Sequence, residues 1–159
     1  MRYLGLDLGT KTLGLSISDI TGTIASTLKT VRFNEDNYES LLPILKDIID
    51  EYKVDKLVLG LPKNMNNTIG ERAEKTLEFK KRIEEELNME CFLQDERLST
   101  VAAHNYMLEA DMSRRKRKKS VDKIAANIIL QTYLDKMKGR RLWTKKKWHL
   151  IWHMKMAKK

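Results

Sequence analysis

The 159-residue chain holds a single cysteine, Cys91. That excludes an internal disulfide and a cysteine-based zinc site, and it suits a reducing cytosol. Long apolar runs are missing too. The longest stretches without Asp, Glu, Lys or Arg are 11 residues, 98–108 and 124–134. A membrane-spanning helix needs about 20 apolar residues, so none is expected. A secretory leader is not expected either, because Asp7 stands where its apolar segment would lie. No internal repeat and no Cys/His cluster is visible. What remains is a chain of one-domain length, 42% hydrophobic and 33% charged. That is the composition of a soluble globular body large enough to bury a core.

Acidic residues are absent from one segment. Residues 139–159 carry 8 Lys/Arg and no Asp or Glu, and without them the net charge of +9 falls to +1. The run Arg114-Arg115-Lys116-Arg117-Lys118-Lys119 adds six more cations. Outside both segments, 17 basic residues face 22 acidic ones. A mildly acidic body with two basic elements suits a polyanionic partner, either nucleic acid or an anionic membrane surface.

Residues 3–7 read as a short strand and Gly9-Thr10-Lys11-Thr12 as a turn. Residues 13–19 alternate, with Leu13, Leu15 and Ile17 on one face and Gly14, Ser16 and Ser18 on the other, so a second strand is expected. A turn at Thr21-Gly22 and β-branched residues over 23–31 complete a three-stranded meander. Leu41, Leu42, Leu45, Ile48, Ile49 and Tyr52 recur at helical spacing, and Pro43 makes that helix start late or bend. Residues 56–61 form an apolar strand closed by Pro62, followed by a polar loop over 63–70. Thr68 and Glu71 suggest a capping box opening a charged helix to about Leu87. A fifth strand is expected at 90–95, a short helix at 99–109 and a basic loop at 114–119. Ser120 then caps a last helix running to about Met137, with Val121, Ile124, Ala125, Ile128 and Leu134 inward. Three strands in sequence, then alternating helices and strands, imply an α/β fold: a mixed sheet covered by helices.

Three acids stand out. Asp7 lies between Leu6 and Leu8 in a strand expected to be central, with Gly5 on its own face and small residues across. A buried unpaired carboxylate is costly and calls for a metal, a cation or a proton. The ordinary alternative is a strand-end Asp capping the turn. Asp95-Glu96-Arg97 ends an apolar strand. Adjacent strand residues point to opposite faces, so only one of the two acids can share Asp7's site, and alternation alone leaves the choice open. A solvated strand end with an Asp–Arg pair is the alternative. Asp122 precedes Ala125 and Ala126, small residues that let a helix approach a sheet. Acids in a first helical turn also serve simply to complement the dipole. Taken together, an all-oxygen set suits Mg²⁺ or Mn²⁺, ions that activate water in phosphodiester hydrolysis.

The segment Tyr3-Leu-Gly-Leu-Asp7-Leu-Gly-Thr-Lys11 resembles the opening of the YqgF/RuvX family. The likeness continues in Leu59-Gly-Leu-Pro-Lys63-Asn-Met, in Asp95-Glu-Arg97-Leu-Ser-Thr100, and from Arg114 to Asp122-Lys-Ile-Ala-Ala126. It spans about residues 1–137, with the motifs in family order. The family is described as RNase H-like nucleases acting as Holliday junction resolvases or on pre-16S rRNA. The resemblance implies an RNase H-like fold: a five-stranded mixed sheet, three strands antiparallel and two parallel, flanked by helices. It also implies a metal-binding catalytic set of Asp7, Glu96 and Asp122. On that expectation Lys11, Lys63, Asn64, Asn66 and Arg97 contact or orient near the nucleic-acid backbone. The run from Arg114 to Lys119 binds phosphates without reading bases.

The expected division is a nuclease domain over 1–138 and a basic, Trp-rich extension over 139–159. Trp143, Trp148 and Trp152 sit among its cations, a mixture suited to stacking on bases or lying at a membrane interface. Cys91 is expected in the core and His104 on a helix surface. The substrate expectation is pre-16S rRNA in 5′-end maturation in the cytoplasm, with four-way junction DNA second. Oligomeric state, monomer or homodimer, is not legible. Residues 4–10 also resemble the phosphate loop of actin-like sugar kinases and chaperone ATPases. Those proteins enclose ATP between two lobes, which one body of this size does not supply. A non-catalytic nucleic-acid-binding module on the same fold is the third alternative.

Overall fold

The computed structural model describes residues 1–62, 70–96 and 114–157. Five strands form one sheet: β1 (Tyr3–Leu8), β2 (Thr12–Ser18), β3 (Ala25–Arg32), β4 (Lys56–Leu61) and β5 (Cys91–Asp95). Their order across the sheet is β3-β2-β1-β4-β5. The β1–β2 and β2–β3 pairs are antiparallel, while β1–β4 and β4–β5 are parallel. The expected meander plus two parallel strands is therefore present, with β1 central.

Period-two alternation gives the sheet two unlike faces. Leu4, Leu6 and Leu8 of β1, Leu13 and Leu15 of β2, and Leu57 and Leu59 of β4 share one buried cluster. Two helices cover it. α1 (Leu41–Tyr52) contributes Leu41, Leu42, Leu45 and Ile48, and α2 (Glu71–Leu87) contributes Phe79 and Ile83. A single 3-10 turn, Tyr38–Ser40, precedes α1, which begins late enough that Pro43 falls in its first turn. The missing N–H of Pro43 costs no helical bond there. Lys53 and Asn88, both left-handed, end α1 and α2.

The other face carries small residues and one long helix, α3 (Arg114–Ala157). Val58, Ala25, Ile129, Leu130, Tyr133 and Leu134 form its cluster, and Met137 packs against it. A Cβ on Gly5 would collide with Ser16 Oγ and come within 2.8 Å of the Leu130 Cβ, so glycine there sets how closely α3 lies. Ser16 Oγ donates to the Ala126 carbonyl at 2.8 Å. Gln131 accepts from the Ala25 N–H at 2.8 Å and donates to the Thr23 carbonyl. The Tyr133 ring lies 5.9 Å from that of Tyr3 and 5.7 Å from that of Phe92. Ala126 and Leu130 thus stand over Gly5 and Tyr133 over Tyr3, so α3 runs antiparallel to β1.

Four expectations change. Residues 114–119 are helical rather than a loop, and Ser120 lies inside α3 rather than capping it. Lys and Arg are good helix formers, and nothing in that run breaks a helix. α3 also continues past Met137, because Gly139 alone costs only about 1 kcal/mol in a helix and no proline follows. Among the inward positions, Ile129 and Leu130 are fully buried whereas Ile124 and Ile128 are partly exposed. The nearly unbroken apolar run leaves the phase of the stripe ambiguous. Finally, Gly70 is the N-terminal cap of α2 and Glu71 its first residue, not the third as the expected capping box requires, while Thr68 lies outside the described residues. The expected helix over 99–109, with His104, lies outside the described residues.

Candidate active site

The site forms where β1 and β5 end on the α3 face. Asp7 is one residue from the end of β1, paired with Gly14 of β2. On the far side of β4, Leu61 pairs with Asp95, and the Glu96 N–H donates to the Leu61 carbonyl at 3.2 Å. Between the two acids stands β4. Neighbouring strands lie about 4.8 Å apart, so an ordinary side chain on β4 would separate carboxyls two strands apart. The β4 residue at that level is Gly60. A Cβ built on it would run into Glu96 Oε2, and would lie 2.6 Å from Ile129 Cδ1. Glu96 therefore reaches across the space a side chain would fill.

It reaches Asp7. The Glu96 carboxyl is half-buried and hydrogen-bonded to the Asp7 carboxyl. Burial first, then the charge of Asp7 and the hydrogen bond to it, push Glu96 up to about 8, and nearby Arg72 partly opposes this. Two carboxyls bond to one another only if one keeps its proton. At neutral pH without a cation, Glu96 keeps it. The alternation of β5 puts Asp95 on the opposite face, with Cys91 and Leu93, which belong to the leucine-lined core. This settles which acid shares Asp7's face.

Arg72 is a component the sequence reasoning missed. It is the second residue of α2, and its guanidinium donates to the Leu8 carbonyl at 2.8 Å and to the Tyr38 hydroxyl at 3.4 Å. It ties the end of β1, next to Asp7, to α2. Its only sequence signal is position: a cation just after the polar loop at the carboxyl end of β4, where β1 and β5 also end.

Lys11 is exposed on the turn after Asp7, and the Gly9 N–H closes that turn on the Thr12 carbonyl at 2.8 Å. The third expected acid, Asp122, falls on α3 one turn before Ala126. Because α3 runs antiparallel to β1, that turn lies toward the Asp7 end of the strand. The side chains of 114–123 lie outside the described residues, as do Lys63, Asn64, Asn66 and Arg97. Among the described residues no three metal-ligating side chains gather. The two that meet are both oxygen donors, mutually repulsive when ionised, and a hard divalent cation fits such a pair. Cys91 is buried in the core as expected, and burial pushes its thiol up to about 12. Among the described residues no helix is long and apolar enough to cross a membrane.

A family model described as "RuvX: Holliday junction resolvase" matches residues 1–136. The chain is 53% identical over 135 residues to a protein of Geobacillus sp. (strain WCH70) named "Putative pre-16S rRNA nuclease", covering 85% of this chain and 98% of that one. It is 54% identical over 137 residues to a protein of the same name from Clostridium botulinum (strain Hall), covering 86% and 98%. Among solved structures, Thermus thermophilus RuvC in complex with a Holliday junction substrate superposes with a TM-score of 0.56. The identity is 12%, with 87% of this chain and 96% of that chain covered, a likeness of fold alone.

Proposed function

The chain belongs to the RuvX Holliday junction resolvase family, with an RNase H-like fold, and from that premise we propose a divalent-metal-dependent endonuclease acting on structured nucleic acid. Its substrate on this reading is precursor 16S rRNA, cut in 5′-end processing during ribosome biogenesis in the cytoplasm. The names of its relatives support that substrate. The observation that carries the chemistry is the Asp7–Glu96 carboxyl pair, joined over Gly60 at the carboxyl ends of the strands.

Asp7, Glu96 and Asp122 would hold the ion, Mg²⁺ or Mn²⁺. Bound there, it supplies an activated water and stabilises the leaving oxygen. The chain's own residues do the rest. Glu96 gives up the proton it shares with Asp7 when the site is loaded. Arg72 fixes the carbonyl end of β1 and so the position of Asp7. Lys11 and the cations from Arg114 to Lys119 neutralise phosphates on either side of the acids, with Lys63, Asn64 and Arg97 as further backbone contacts. Residues 1–138 are the nuclease domain on this reading, and 139–159 an appended basic arm.

The family's description favours a second substrate, four-way junction DNA. Incubating the purified protein with precursor rRNA and with a four-way junction, each with Mg²⁺, Mn²⁺ or EDTA, tests both. Metal-dependent cleavage of the RNA with the junction intact is expected. Cleavage of the junction alone selects the second substrate. Binding without cleavage in any metal replaces the enzyme with a nucleic-acid-binding module.

A further inference from the structure

The distal part of α3 carries a second cluster of ligating side chains, unrelated to the acids. His149 and His153 are both exposed and sit one turn apart on the same helix face. Their Nε2 atoms are 2.9 Å apart, with ring centroids at 4.3 Å and ring planes at 85°. With one proton between them they hydrogen-bond. With both Nε2 atoms unprotonated, the pair offers two nitrogen donors one turn apart to a single ion.

Metal–imidazole bonds are about 2.0–2.1 Å long, so a tetrahedral ion needs its nitrogens about 3.4 Å apart and a right-angled one about 2.9 Å. The hydrogen-bonded separation of 2.9 Å already lies at the right-angled spacing, so the pair can take up tetragonal Cu²⁺ or Ni²⁺ with little movement of the rings. The surroundings select in the same direction. Residues 139–159 contain no Asp or Glu, while Lys147 and Lys155 lie two residues to either side of the pair. Hard ions held by charge are repelled there, whereas nitrogen donation persists. We infer that His149 and His153 form a two-imidazole site for a late first-row divalent ion, Cu²⁺ or Ni²⁺, with water completing its coordination. The site is independent of the proposed nuclease function. Along the helix axis it lies roughly 35 Å from Ala126, which stands beside the acids' face.

The Trp152 ring, centred 5.1 Å from that of His153, reports on occupancy. The experiment titrates the full-length protein with Ni²⁺ and, separately, Cu²⁺, following tryptophan fluorescence and calorimetric stoichiometry at pH 7.5. Quenching with one ion per chain is expected, reversed by excess EDTA. His149→Ala and His153→Ala should each weaken binding more than tenfold, with the helical circular dichroism unchanged. His104→Ala, which removes the remaining histidine, should not alter it. A tenfold excess of Mg²⁺ should not compete. Undiminished binding in either His149→Ala or His153→Ala, or loss of binding in His104→Ala, overturns the assignment.

Discussion

The two faces of the sheet are built from opposite materials. Against α1 and α2 the strands present Leu4, Leu6, Leu8, Leu13, Leu15, Leu57 and Leu59, all buried to 5% exposure or less. Against α3 they present Gly5, Asp7, Gly14, Ser16, Val58 and Gly60, with Glu96 at the edge. The first face gains stability by burying area. The second gives up area, and the room goes to a helix backbone and to two carboxyls. Stability and chemistry are thus separated by the thickness of one sheet, and a substitution should disturb one or the other according to the parity of its position.

The largest expected effect is on the chemical face. Asp7→Asn or Glu96→Gln should lower cleavage by orders of magnitude in a single-turnover assay, with nucleic-acid binding retained. Asp95→Asn, on the other face, should keep most activity, and its inactivity with an active Glu96→Gln would break the comparison. On the leucine face, Leu45→Ala should cost about 2–5 kcal/mol in urea unfolding while the folded fraction cleaves normally. Gly60→Ala, on the α3 face, should touch both stability and chemistry. It should destabilise by about 1–3 kcal/mol through overpacking against Ile129, and it should also displace Glu96 and cut activity.

A smaller effect sharpens the electrostatics. Glu96 is raised from its ordinary 4.5 to about 8 in the folded, metal-free chain. The native state therefore holds a proton that the unfolded chain has released, and this group's contribution to stability falls as pH rises from about 4.5 to about 8. Urea midpoints in EDTA at pH 6 and pH 8 measure it, and Glu96→Gln should flatten the difference. The smallest effect on stability belongs to deletion of residues 139–159. The buried cluster ends with Met137, so the unfolding midpoint should hold, while nucleic-acid affinity drops with a shallower salt dependence as 8 cations are lost.

Much of this separation is legible in the sequence, because period-two patterning is a direct imprint of a sheet with one buried face. Leu13 and Leu15 against Gly14 and Ser16 give the second strand and the small-residue face together. The choice between Asp95 and Glu96 is not legible. It depends on which face of β5 meets α3, and that is fixed by Phe92 stacking on Tyr133 far along the chain. Gly60 reads as an unremarked strand glycine until the acid two strands from Asp7 is seen to fill its space. Arg72 is silent because its partner is a backbone carbonyl, and no residue type advertises that. The basic run reads as a loop because charge patterning says nothing of helix phase when all six positions are cationic.

In mechanical terms α3 is a beam. Its middle, from Ala125 to Met137, is clamped by buried contacts and by the Ser16–Ala126 hydrogen bond. Beyond the clamp, described side chains of the far arm lie open to solvent, Leu150 at 63% and Trp152 at 57% exposure. A load on a clamped beam bends the free arm and leaves the other side of the clamp in place. The tail can be seized, pulled or swung by whatever binds it while the clamped middle keeps its place on the sheet.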